Sequence, residues 1–290
     1  MRFAMSRNNE DLDSWTHVIK PHGRGFDLKL GEVWRYRDLI GLLVHRDFVA
    51  QYKQTILGPA WHLIQPLLVT IMFTIVFGRI AGISTDGVPP FLFYMAGTVI
   101  WNYFSTVMLK TSGTFTQNAN IFGKVYFPRI AVPIATLLSN LIAFAIQFVF
   151  FLCFLGFFVM QGANVTPNAW ILVTPLLLLM MAMFSLGLGT IVSALTTRYR
   201  DLTVLVAFGT QLLMFASPII YPMSALPEKW QHIAGLNPIA PIVELFRYSY
   251  LGVGTVSLTH LLYSMIVIVL VLYFGVVLFN RVERTFMDTV

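Results

Sequence analysis

The chain has 290 residues, of which 57% are hydrophobic and only 11% charged, with a mean hydropathy of +0.74. A water-soluble domain carries charge at roughly a quarter of its positions, so most of this surface faces lipid or other helices, and a soluble globular enzyme is excluded. The net charge of +6 does not signal nucleic acid either, because the basic residues avoid the apolar runs and sit between them, as membrane topology demands.

In chain order, residues 1–30 carry mixed charge and no apolar core, which predicts a cytoplasmic tail and not a signal peptide. Over residues 31–57, Tyr36, Ile40, Leu43, Phe48, Tyr52 and Ile56 recur at helical spacing, while Arg35, Asp38, His45, Arg46 and Lys53 fall largely elsewhere. That pattern predicts an amphipathic helix lying in the membrane interface, with a soluble cap helix as the alternative. Gly58-Pro59 then ends it, and a proline suits the first turn of the helix that follows.

Residues 58–290 read as a six-span domain. A hydrocarbon core of ~30 Å needs about 20 mostly apolar residues in helix. Six runs are assigned by that ruler: Ala60–Ile80, Phe91–Ser112, Ile130–Met160, Trp170–Leu195, Leu202–Tyr221 and Leu258–Asn280. Runs of this length must satisfy their own backbone in lipid, so the fold class is all-α membrane protein. From Ile130 through Thr197 there is no Asp, Glu, Lys or Arg, and the single cysteine, Cys153, lies in that stretch as an expected packing residue. Of the nineteen basic residues, sixteen fall before the first span, in the even loops and in the tail; only Arg79, Lys229 and Arg247 fall on the other side. The asymmetry places both termini in the cytoplasm.

Two non-spanning pieces carry further information. Residues 113–129 form a short cytoplasmic segment containing Ile121, Phe122, Val125, Tyr126 and Phe127, apolar groups that a plain tether would not need and that mark an interaction surface or lipid contact. Residues 222–256 contain prolines 222, 227, 238 and 241 and an apolar stretch, Ile239 to Leu251, too short to span; they read as periplasmic or re-entrant helices. Glu244 and Arg247 are three apart and can pair on a helix, either as a solvated pair or as part of a periplasmic gate.

The chemistry that is missing narrows the function. The only Gly-Lys, Gly123-Lys124, lacks the surroundings of a phosphate-binding loop, so no nucleotide cofactor is expected on this chain. Histidines 17, 22, 45, 62, 232 and 260 are scattered, and no metal-ligand or catalytic spacing occurs. Acidic residues are absent from the span interiors. Ion-coupled carriers usually hold ionisable groups there, whereas His62 and Gln65 sit at the mouth of the first span and Gln147 and Gln211 read as interhelical hydrogen-bonders. Energy for uphill transport would come from another chain.

Four stretches point to a family. Arg46-Asp47-Phe48 with Gln51-Tyr52-Lys53-Gln54, Leu57-Gly58-Pro59-Ala60-Trp61 and Gln65-Pro66 resembles the start of ABC-2 type permeases that export polysaccharide. Lys124-Val125-Tyr126-Phe127-Pro128-Arg129 with Pro133, Arg198-Tyr199-Arg200-Asp201-Leu202, and Asn237-Pro238 with Pro241 and Glu244-Leu245-Phe246-Arg247 resemble later segments of that family, in the same order. The resemblance implies a homodimer of six-span subunits in the bacterial cytoplasmic membrane, carried on two copies of a separate ATPase subunit that binds ATP and Mg. It implies as substrate a lipid-linked polysaccharide such as O-antigen, capsule or a teichoic-acid-like chain.

On that footing Asn118, Asn120, Ile121, Phe122, Lys124, Tyr126 and Arg129 are the expected ATPase-coupling residues. Sugar faces stack on aromatic rings, so Phe73, Phe77, Tyr94, Trp101, Tyr103, Phe208, Phe215 and Tyr221 are candidates for a substrate path. For each of them the competing role is helix packing or anchoring at the interface. Two other functions remain open at this point: an ABC-2 permease for a drug or small lipid, and an integral membrane acyl- or glycosyltransferase. The latter needs a His or carboxylate cluster at the lipid–water boundary, where the even loops offer only Asp201.

Overall fold

The computed structural model describes residues 30–53, 58–125, 127–199 and 201–285. Most of the expected tail, Gln54 to Leu57, Tyr126 and Arg200 lie outside the described residues. The order of elements is α1 (Leu30–Arg35), α2 (Arg37–Tyr52), a 3-10 turn (Gly58–Ala60), α3 (Trp61–Phe73) continuing as a π-helical stretch (Thr74–Ile80), α4 (Pro90–Ser112), α5 (Thr114–Phe122), α6 (Ala131–Met160), a 3-10 turn (Ala169–Val173), α7 (Thr174–Thr196), α8 (Leu202–Phe215), α9 (Glu228–Gly235), α10 (Ile239–Leu251) and α11 (Leu258–Thr285). The described chain is all-α, as its composition requires.

Among the described residues, five helical segments are long and apolar enough to cross a membrane: Trp61–Ile80, Pro90–Ser112, Ala131–Met160, Ala169–Thr196 and Leu258–Glu283. The sixth, α8, stops at Phe215, short of the expected Tyr221. At 14 residues and a rise of about 1.5 Å each, it covers about two-thirds of a hydrocarbon core. Pro218 explains the stop, since it has no N–H to donate and its ring would meet the carbonyl four residues back. Residues 217–220 that follow are buried inside protein, the condition under which non-helical backbone persists in a membrane domain.

The interfacial helix also differs from expectation. It is two helices, broken at Tyr36, and its apolar residues divide between two faces: Ile40 and Leu43 point inward, while Trp34, Leu42 and Phe48 point out. There is no single apolar stripe. Cys153, expected in packing, lies on the outer face of α6.

Helix α4 is the centre of the bundle. It is buried along most of its length and packs on α3, α6, α7 and α10, with Leu92, Phe104 and Val107 wholly enclosed. Helices α7 and α11 come into close contact. A Cβ added to Gly275 would fall 2.4 Å from the Gly187 carbonyl oxygen, and one added to Gly187 would fall 2.8 Å from the Leu272 backbone. Small residues let helix backbones touch where lipid supplies no hydrophobic drive between helices. By contrast α3 and α8 show apolar residues outward, among them Leu68 and Met72 on α3 and Val204 and Leu205 on α8. A second, smaller core sits at the end of the bundle that holds α2 and α5, built from Ile40, Leu43, Phe115, Phe122, Phe127, Ile130, Val276 and Phe279.

Candidate functional site

Two places in this fold combine charge with burial. The first is α10, a 13-residue helix with twelve of its residues buried, which packs against α4, α7 and α11. A short helix this enclosed cannot expose Glu244 or Arg247 to water, and neither is exposed: their side chains are 2% and 0% accessible. The solvated-pair alternative therefore falls.

Arg247 holds the turn after α8. Its Nη1 donates to the Pro218 carbonyl and lies 3.4 Å from Glu244 Oε1, and its Nη2 donates to the Ile219 carbonyl at 2.6 Å. The guanidinium carbon stands 3.7 Å from the centre of the Phe93 ring, a cation–π geometry. Gly97 leaves the room for this, because a Cβ there would come within 2.8 Å of Nη2. Glu244 Oε2 in turn accepts from the Thr255 amide at 2.9 Å. Burial pushes the Glu244 carboxyl up, and Arg247 and the Thr255 amide pull it back. The pair thus ties together α10, the turn after α8 and the strand of chain that leads into α11.

Beside it the structure gathers part of the aromatic set. Phe73, Phe77, Tyr94 and Tyr221 pack with Phe93 and Ile220 in one cluster, with Phe73 edge-on to Phe77 at 5.4 Å and to Tyr94 at 6.1 Å. The other candidates lie elsewhere. Trp101 and Tyr103 are buried in the main core, against Phe104 and Phe144 respectively. Phe208 and Phe215 are exposed on α8.

The second place is the segment from α5 to α6. Here the structure divides residues that the sequence grouped. Phe122 is 3% exposed, enclosed by Phe115 and Phe127 at 6.0 and 5.8 Å between ring centres. Arg129 is buried as well: its guanidinium donates to the Glu283 carbonyl at 2.9 Å, its own amide donates to Glu283 Oε1 at 3.0 Å, and it lies over the Phe122 ring. Neither side chain is presented to a partner, because the chain's own second core uses both. Asn118 is half-buried, its amide spent on the Thr114 carbonyl at 3.0 Å. The outward groups are Asn120, Ile121, Lys124 and Val125, with Ile121 39% and Val125 58% exposed. Tyr126 is outside the described residues. Glu283 was not singled out from sequence: its partner is 154 positions away and no local spacing joins them.

Of the two glutamines read as interhelical hydrogen-bonders, Gln147 accepts from Asn102 of α4 at 3.4 Å, and Gln211 is exposed on α8.

A bundle of apolar helices with a buried ion pair near one end and an aromatic segment at the other defines a polytopic membrane protein. The chain belongs to the ABC-2 type transporter family, whose pattern matches residues 38–251. It is similar to an O-antigen export system permease protein, RfbA, of Klebsiella pneumoniae: 25% identical over 255 residues, covering 87% of this chain and 94% of the relative. A protein of the same name from Myxococcus xanthus is 26% identical over 219 residues, covering 74% and 81%. The capsule polysaccharide export inner-membrane protein CtrC of Neisseria meningitidis is 22% identical over 256 residues, covering 85% and 91%.

Proposed function

We propose that the chain is the membrane-spanning subunit of an ATP-driven exporter that moves a lipid-linked polysaccharide such as O-antigen across the bacterial cytoplasmic membrane. The observation that carries this reading is similarity along nearly the whole chain to relatives named for O-antigen export. Two copies of the chain form the channel, and two copies of a cytoplasmic ATPase subunit bind ATP and Mg and supply the energy. Residues 1–30 are a cytoplasmic tail, 31–57 the interfacial helices, and 58–290 the transmembrane domain. Residues 113–129 couple to the ATPase through Asn120, Ile121, Lys124 and Val125. Phe73, Phe77, Tyr94, Tyr221, Phe208 and Phe215 line or border the path, while Trp101 and Tyr103 support it from within the core. Glu244 and Arg247 lock residues 222–256 at the periplasmic end.

Deleting the gene tests this reading. The polysaccharide is expected to accumulate inside the cell and to vanish from the surface, with export restored by the gene supplied from a plasmid. A deletion strain with normal surface polysaccharide overturns the proposal.

Topology gives an independent check, motivated by the placement of the basic residues. With Cys153 replaced, single cysteines at Ser84 or Gly162 are expected to react with an impermeant thiol reagent on intact cells, and cysteines at Asn118 or Thr197 are expected not to react. Labelling at Asn118 from outside would invert the orientation and, with it, the coupling segment.

A further inference from the structure

Three helices that are apolar by composition turn polar faces towards one another at the end of the bundle that holds α2 and α5. On α4, Asn102, Thr106 and Lys110 are spaced by four, so they share one face. His62 and Gln65 of α3 and Gln147 of α6 meet that face across a cleft of about 240 Å³. Gln51 closes one side, 3.3 Å from His62 Nε2, and the Trp61 side chain, half exposed, stands at the rim. No carboxylate is among the described residues that line it.

The cleft retains unused hydrogen-bonding capacity. Lys110 Nζ carries three N–H donors and directs one to Asn140 Oδ1 at 3.1 Å. The acid whose field reaches it, Asp47, is paired with Arg46 at 2.8 Å. Gln65 and Thr106 line the space with polar groups that form no hydrogen bond among the described residues. Polar and ionisable groups on membrane spans are costly, and where they face a cavity they mark a ligand's path. An ammonium among amides, a hydroxyl and an indole is the chemistry that binds a phosphate bearing a sugar: Lys acts as a point charge for the phosphate, amides match hydroxyls, and the indole offers a face to the ring. A space of this size is below the roughly 300–1,000 Å³ that encloses a drug-sized ligand, so it fits a headgroup and not a chain. The exposed apolar face of α3, with Leu68 and Met72, begins beside the rim and suits a hydrocarbon tail.

We infer that this cleft binds the phosphorylated headgroup of the lipid that carries the polysaccharide, on the cytoplasmic side. The inference rests on the export reading above and names where the carrier is first held.

The test is direct binding to the full chain in lipid nanodiscs, with farnesyl diphosphate, farnesol and inorganic pyrophosphate as probes. Farnesyl diphosphate is expected to bind, and Lys110→Met to weaken it by about tenfold or more, the range for a hydrogen bond to a charged group. Lys110→Arg is expected to keep most of the affinity. Should Lys110→Met fail to fold, Gln65→Leu with Thr106→Val, which break no internal hydrogen bond, carry the same expectation of weakened binding. Unchanged affinity in these variants overturns the site. Equal binding of farnesol shows that only the tail is recognised, and equal binding of pyrophosphate assigns the cleft to a free anion; either result overturns the carrier headgroup as ligand. Because binding is read without export, loss of binding overturns the cleft and leaves the export proposal standing, whereas a deletion strain with normal surface polysaccharide overturns the export reading, and with it the carrier as ligand, even where the cleft binds the diphosphate.

Discussion

Arg247→Met is expected to cause the largest loss of folded protein among single substitutions in this chain. Its guanidinium satisfies two backbone carbonyls, Pro218 and Ile219, in a turn that cannot satisfy itself, and it neutralises Glu244, which is as deeply enclosed. Removing one member of a buried pair typically costs about 3–5 kcal/mol, because the other charge is stranded, and a whole domain is stable by only about 5–15 kcal/mol. Glu244→Gln should cost less, since its amide oxygen can still accept from the Thr255 amide. The double change Glu244→Gln with Arg247→Met should not restore stability: it removes the stranded charge but leaves the two carbonyls without donors. Melting temperature and the monodisperse fraction after detergent extraction measure all three. A double variant as stable as wild type would show that charge balance, and not the capping of the turn, is what Arg247 supplies.

The second large effect is expected at the outward side of α5. Ile121→Asp with Val125→Asp should abolish co-purification with the ATPase and stop export, while the melting temperature of the permease stays near wild type. Both side chains are exposed, so aspartate meets water in the free subunit. In a complex, each apolar side chain removed from water contributes about 1.5–3 kcal/mol when fully covered, and a buried aspartate would forfeit that and add an unpaired charge. Phe122→Ala should behave in the opposite way. It empties a ring-sized volume in the second core, a change worth about 3–5 kcal/mol, so the permease itself should lose stability in proportion to any loss of ATPase binding. The decisive measurement is the pair of values, melting temperature and ATPase retained, for the two variants. An Ile121→Asp, Val125→Asp protein that keeps the ATPase and exports at full rate would remove this surface from the mechanism.

Much of the architecture was legible because lipid leaves few options. Apolar runs near twenty residues fixed five spans to within a few positions, and the prolines marked residues 222–256 as non-spanning. What was not legible depended on the rest of the fold. The end of α8 looked apolar through Tyr221 because Ile219, Ile220 and Tyr221 continue the hydropathy; Pro218 was the signal of a stop within that run, and the burial of the turn and the Arg247 bonds show what takes the place of the last helical turn. In residues 113–129 the sequence offered five apolar groups without saying which were spent internally. Phe122 and Phe127 went to a core whose other walls come from α2 and α11, and Arg129 went to Glu283. The polar face of α4, Asn102, Thr106 and Lys110, was not singled out from sequence, because it acquires meaning only where α3 and α6 bring His62, Gln65 and Gln147 opposite.

The composition of the second core also sets an order on biogenesis. Of the three sets of residues that wall it, Ile40 and Leu43 emerge from the ribosome first, Phe115 and Phe122 next, and Val276 and Phe279 last, with Phe115 stacked on Phe279 at 4.5 Å. Chains are made from the amino end at about 5–20 residues per second, so the early and middle walls of this core wait unpaired while the intervening spans are inserted. Helix α5 and the residues after it therefore reach their final shape only once Val276 and Phe279 have been made, and a chain cut short before Val276 exposes apolar rings that the folded chain buries.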